Sequence, residues 1–158
     1  MGSGRRLSIV FAGIATVLVC AAAAIAKPSP KAAFNARVRA IGTQAQQALL
    51  AMPTPATPTQ TEAAAMADQL HAIYQRVAQR LTALTPPKTI KADFTILRSS
   101  YQAAARNAAA WRDALLHGTA QQAADASGAL NNGLQNYRAS LAIVRMSQKG
   151  YYFGTFFH

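Results

Sequence analysis

The amino-acid sequence predicts an all-α protein, an antiparallel up-down-up-down four-helix bundle behind an N-terminal signal or anchor segment. Three observations predict it. Four rows of apolar residues advance by alternating steps of three and four. Breaks containing proline or glycine separate the rows. Ahead of them, residues 7–26 contain no charged residue and no proline. Steps of three and four keep a row on one helix face, whereas a half-buried strand shows a period of two.

The N-terminal segment comes first. Arg5 and Arg6 precede an apolar stretch through Ile9, Val10, Phe11, Ile14 and Val17 to Val19. Small residues at Ala24 and Ala26 follow, and Pro28 and Pro30 then break the helix. Basic, apolar and small-residue regions in that order read as a secretory signal cleaved after Ala26. The alternative is a retained single-pass anchor with Arg5 and Arg6 inside, since twenty apolar residues span a bilayer. The alanine run at 21–24 weakens the apolar end and favours cleavage. Cys20 follows Val19, where a lipid-attachment signal needs a small residue, and it lies within the apolar run. Ser8 stands where a twin-arginine signal prefers a large apolar residue. Cleavage removes the one cysteine in the chain. The remainder then has no disulfide, thiolate metal site or cysteine nucleophile.

The first row is Phe34, Val38, Ile41, Ala45, Ala48 and Met52. Pro53, Pro55 and Pro58 cannot continue a helix. Thr59 and Glu62 then have the spacing of a capping box, in which each side chain satisfies a backbone donor of the other residue. The second row is Met66, Leu70, Ile73, Val77, Leu81 and Leu84. Thr85-Pro86-Pro87 separates it from the third, with Pro87 suited to a first helical position. That third row is Ile90, Phe94, Leu97, Tyr101, Ala104, Ala108, Trp111 and Leu115. Gly118 fits a left-handed stop. Thr119 and Gln122 repeat the capping-box spacing. The fourth row is Ala123, Ser127, Leu130, Leu134, Tyr137, Leu141 and Val144, and Gly150 ends its helix. Gly128 and Gly133 weaken that helix unless a close contact explains them. The division is thus residues 1–26 as signal or anchor, 27–150 as bundle and 151–158 as an aromatic tail.

Chemistry-bearing residues are few. The acids are Glu62, Asp68, Asp93, Asp113 and Asp125, and the histidines are His71, His117 and His158. Glu62 has a capping role, and no two remaining carboxylates share a helix turn. Asp68 and His71, and Asp113 and His117, have the spacing of local hydrogen bonds. No haem-attachment, phosphate-loop or nucleophile-elbow motif is present. The sequence therefore points to no catalytic residue, no metal site and no cofactor.

Charge is the compositional oddity. Fourteen of the sixteen Lys and Arg, and all five acids, follow residue 26, so that part carries a formal charge of +9. Arg76 and Arg80 lie one helical turn apart, and Arg138 and Arg145 lie two turns apart. A basic exterior attracts anionic headgroups, cell-wall polymers or acidic proteins in a salt-sensitive way. Spread over four helices, the same charge also serves as a solvated surface. The tail places Tyr151, Tyr152, Phe153, Phe156 and Phe157 in the last eight residues. They form either a plug over one end of the bundle or an anchor for a membrane interface or partner.

The stretch from Leu81 to Arg145 runs Leu-Thr-Ala-Leu-Thr-Pro-Pro, then a helix with Phe94 and Leu97, then Ala-rich helices split by His-Gly-Thr. It resembles small exported or lipoprotein-type helical bundles of high-GC bacteria. The resemblance implies an envelope location and carries over no catalytic residue.

The expectation is an exported, non-enzymatic binding or scaffolding protein, periplasmic, cell-surface or secreted. Its candidate binding residues are Arg76, Arg80, Tyr151, Tyr152, Phe153, Phe156 and Phe157. The expected partner is an anionic envelope component or another envelope protein, not nucleic acid. Membrane contact would run through residues 7–26 or the tail. The alternative is a bundle that holds a small ligand or metal between its helices. The oligomeric state is not legible in the sequence.

Overall fold

The computed structural model describes residues 27–131 and 133–154, with side chains from Tyr137 onward in the last helix. The signal or anchor segment, Phe156 and Phe157 lie outside the described residues. The chain is all-α: α1 Pro30–Leu50, α2 Gln60–Thr82, α3 Lys91–His117, α4 Ala120–Leu130 and α5 Gly133–Gln148. A single 3-10 turn at Lys88–Ile90 leads into α3.

Caps set the boundaries. The Ser29 hydroxyl accepts from the Ala32 backbone N–H at 3.2 Å, with Pro30 opening α1. At α2 the Thr59 N–H donates to Glu62 Oε2 at 2.8 Å, and the Glu62 N–H donates to Thr59 Oγ1 at 3.2 Å. Thr119 and Gln122 make the same exchange at α4. Both predicted capping boxes are therefore present.

Three boundaries differ from expectation. Pro87 caps the 3-10 turn, accepting from the Ile90 N–H at 3.1 Å, and does not open α3 itself. Gly118 is extended, at φ −97°, not left-handed. It is glycine for steric reasons, because a Cβ there would sit 2.7 Å from the Ala114 carbonyl oxygen. The fourth row is two helices, not one. Asn131 turns its amide onto the Ser127 carbonyl at 3.2 Å. Asn107 on α3 donates to the Ala129 carbonyl at 3.0 Å. The Asn107 amide takes the Ala129 carbonyl, which a continuing helix would offer to the Gly133 N–H, and glycine there is a poor helix former. A Cβ added at Gly128 would meet nothing within 4 Å, so no close helix contact accounts for that glycine.

Gly150 does end α5, at φ 77°. The Tyr151 N–H reaches the Met146 carbonyl at 3.0 Å and the Gly150 N–H reaches the Ser147 carbonyl at 2.7 Å. That is a Schellman stop, which needs the left-handed conformation glycine allows.

Along α2 and α3, Gln60 meets Leu115, Asp68 meets Arg112, His71 meets Ala105 and Tyr74 meets Tyr101. Arg80 of α2 hydrogen-bonds Gln44 of α1. On the other side of α3, Asn107 meets Ala129 of α4 and Asp93 meets Arg145 of α5. One core joins Val38, Leu81, Leu97 and Met146, all fully buried. Its aromatic end is Phe34, Phe94 and Phe153, with ring centroids 5.3–6.5 Å apart, and Tyr151 stands 6.2 Å from Phe34. Such edge-to-face contacts add to the area each ring buries.

Much of the first three rows is buried, while Met66, Leu70, Ala104, Trp111 and Leu115 are half-buried and lie outside this core. Phe34, Val38, Ile41, Ile73, Val77, Leu81, Phe94, Leu97 and Ala108 are buried as their spacing predicts. The fourth row departs from prediction. Tyr137 is 60% exposed, Leu141 38% and Val144 47%, while Ala142, Ile143 and Met146 are buried in their place. The side chain of Leu134 lies outside the described residues.

Candidate functional site

The rotation of α5 has a visible cause. Asp93 on α3 is buried, and its carboxylate takes Arg145 Nε at 2.7 Å and Lys149 Nζ at 3.2 Å. Arg145 lies in the last turn of α5 and Lys149 one turn further along the chain, so together they fix which way the helix faces. Lys149 Nζ also donates to the Thr89 carbonyl at 3.0 Å. From the far side, Lys31 donates to the Lys149 carbonyl at 2.8 Å. The chain then drops Tyr151 and Phe153 into the aromatic end of the core. Burial pushes the Asp93 carboxyl up, but the hydrogen bonds and charges of Arg145 and Lys149 outweigh it and hold the group below its ordinary range.

With those residues inward, α5 turns Tyr137, Leu141 and Val144 outward. An open groove of about 570 Å³ separates α5 from α3. Arg138, Leu141 and Arg145 line it from α5, and Thr95, Ile96, Ser99, Ser100, Ala103 and Arg106 line it from α3. Three guanidinium groups and no carboxylate are in that lining. The Thr95, Ser99 and Ser100 hydroxyls donate back to the carbonyls four residues earlier, at 2.8–3.0 Å. Their protons are thus spent within the helix. The donors this groove offers to an anion are its arginines. Arg145 uses Nε on Asp93, and its side chain remains 44% exposed. Among the described residues Arg106 and Arg138 have no ion-pair partner. Of the fourteen cations after residue 26, Arg112, Arg145 and Lys149 are the ones with carboxylate partners there.

The residues singled out from sequence fall in different places. Arg76 and Arg80 line a cavity of about 40 Å³ between α1 and α2, with Ile41, Ala45, Ile73 and Val77. That is room for a few waters at most. Tyr151 and Phe153 are core residues, 8% and 2% exposed, while Tyr152 between them is 59% exposed. The tail through Phe153 therefore packs as a plug.

The local Asp–His pairs are not made. Arg112 instead takes both Asp68 and Asp113 at 2.8 Å. His71 Nδ1 donates to the Ala105 carbonyl at 2.9 Å, so its ring is tied to α3. Tyr74 and Tyr101 pack with centroids 6.2 Å apart; burial raises both phenols, and at Tyr101 the neighbouring Tyr74 adds to it. Among the described residues no three His, Cys, Asp or Glu side chains cluster as metal ligands. No described helix is long and apolar enough to cross a membrane.

The α3–α5 groove was only half legible in sequence. The two-turn spacing of Arg138 and Arg145 is visible there, but Arg106, on another helix, joins them through the fold alone. No protein family, curated protein or solved structure matches this chain.

Proposed function

We propose that the protein is an exported, non-enzymatic binding module of the cell envelope, and that it takes an anionic partner along the α3–α5 face. Its architecture in this proposal is an antiparallel four-helix bundle whose fourth member is split into α4 and α5. The observation that carries the binding assignment is the convergence of Arg106, Arg138 and Arg145 on one open groove without an acid in its lining. Like-signed guanidinium groups around a concavity concentrate their field there and raise the local concentration of anions. The groove also lies within the size range of ligand clefts, about 300–1,000 Å³. The candidates Arg76 and Arg80 fit an anion less well, because Arg80 is already hydrogen-bonded to Gln44 and their cavity is small.

Two charge-matched double variants test this. Arg106→Gln with Arg138→Gln removes two charges from the groove, and Arg37→Gln with Arg39→Gln removes two from α1. Calorimetric titration with a short polyphosphate is expected to show about tenfold weaker binding for the first pair and little change for the second. Equal losses for the two pairs would mean that net charge alone governs binding. The export proposal is tested by the mass of the protein recovered from its cells: a chain beginning at Lys27 supports a cleaved signal, and an intact chain in the cytosol contradicts export.

A further inference from the structure

We infer that the outward face of α5 is a docking seam for an acidic amphipathic helix of another protein. The inference rests on the anion-binding assignment and names the partner. Tyr137, Leu141 and Val144 step by four and then three, and all three are exposed. This is the d-a-d spacing of a helix–helix seam, and in that register Arg138 and Arg145 both fall at e. The opposite face of the helix carries Ala142, Ile143 and Met146, which are buried. The helix thus spends one apolar face on its own core and presents a second at the spacing another helix needs. Beside the seam, Ser99 and Ala103 on α3 are small, so a third helix can approach the groove closely.

Charge decides what kind of helix. The e positions hold arginine twice, about 10 Å apart at 1.5 Å per residue, and the g positions hold Ser140 and Ser147. A partner with Glu or Asp opposite e gains an ion pair with Arg138 and meets the part of Arg145 that Asp93 leaves exposed, at the rim of an apolar seam. A second copy of this chain gains none. Antiparallel self-pairing sets arginine against arginine, and parallel self-pairing sets it against serine. A lipid bilayer is planar and cannot follow a groove between two helices, whereas a helix lies in it. The seam covers just over one heptad, which suits a transient complex more than a permanent one.

The probe is a synthetic three-heptad peptide with Leu and Ile at a and d and Glu at e and g, with a Lys counterpart as its charge-reversed control. Affinity is read by fluorescence anisotropy against the full chain, Arg138→Glu and Leu141→Asn. Neither substitution touches Asp93, and far-UV circular dichroism checks the fold. The Glu peptide is expected to bind the parent and to lose at least about tenfold on each variant. The Lys peptide is expected to bind Arg138→Glu better than the parent. Failure of the Glu peptide to bind, or binding that both variants leave unchanged, overturns the inference. Phosphatidylglycerol vesicles that bind in its place, with the same dependence on Arg138, overturn the helical partner and leave the anion assignment standing. If peptide, vesicles and polyphosphate all fail to bind, both fall.

Discussion

Asp93 Oδ1 lies 2.7 Å from Arg145 Nε, and this bond joins the core of the protein to the basic α3–α5 groove. The carboxylate is buried, while the arginine side chain keeps nearly half its surface in water. The pair sets the rotation of α5 and holds one of the three groove arginines in place.

An acid-side loss of stability follows from this. The Asp93 carboxyl is held below its ordinary value of 3.8, so the folded state binds its proton less readily than the unfolded chain. Its contribution is therefore fully present above about pH 3.8 and is lost as pH falls through the lower folded-state value. Asp93→Asn is expected to cost about 1–2 kcal/mol at neutral pH, discounted because both cations are partly exposed. It should also flatten the fall in stability below pH 4. Urea melts at pH 7 and pH 3 check both; a variant as acid-sensitive as the parent contradicts the assignment.

Phe153 should be a large determinant of stability although it lies beyond the last helix. It is 2% exposed and touches Phe34 and Phe94. Phe153→Ala is expected to cost about 3–5 kcal/mol, as for other buried rings. Tyr152→Ala, next to it and 59% exposed, should change stability by less than about 0.5 kcal/mol. Equal thermal shifts for the two would show that the tail does not pack as a plug.

Two glycines should respond in opposite directions. Gly150 has φ 77°, and a Cβ there would also meet the Lys31 side chain, so Gly150→Ala is expected to destabilise by about 1–2 kcal/mol. Gly128 sits in α4 with open space around it, so Gly128→Ala is expected to stabilise by about 0.5–1 kcal/mol. Thermal melts of the two single variants decide this.

The all-α class, the ends of most helices and the inward faces of the first three rows were legible in sequence because local signals set them. Thr59 with Glu62, and Thr119 with Gln122, carry their own capping chemistry within four residues. Phe94 and Leu97 repeat at helical spacing, and both are buried. Leu97→Asp should accordingly unfold the domain, since it places a charge in the centre of the core. The outward face of α5 was not legible. Periodicity finds the apolar row at Tyr137, Leu141 and Val144 but does not say which side of the helix wins the core. That choice is made by Arg145 and Lys149 reaching a carboxylate more than fifty residues earlier, and by Tyr151 and Phe153 entering the core beyond the helix end. The break at Asn131 was hidden for a related reason, because an apolar row runs across it without a change of step. Arg106 could join Arg138 and Arg145 only once α3 and α5 were paired.

The central claim, that an anionic partner binds along the α3–α5 face, is tested most directly by mapping backbone amide shifts of the labelled protein during a polyphosphate titration. Saturable shifts are expected, concentrated in residues 95–106 of α3 and 137–145 of α5 and shrinking as salt is raised. Shifts spread evenly over all the cationic surfaces, or centred on Arg76 and Arg80, would contradict it.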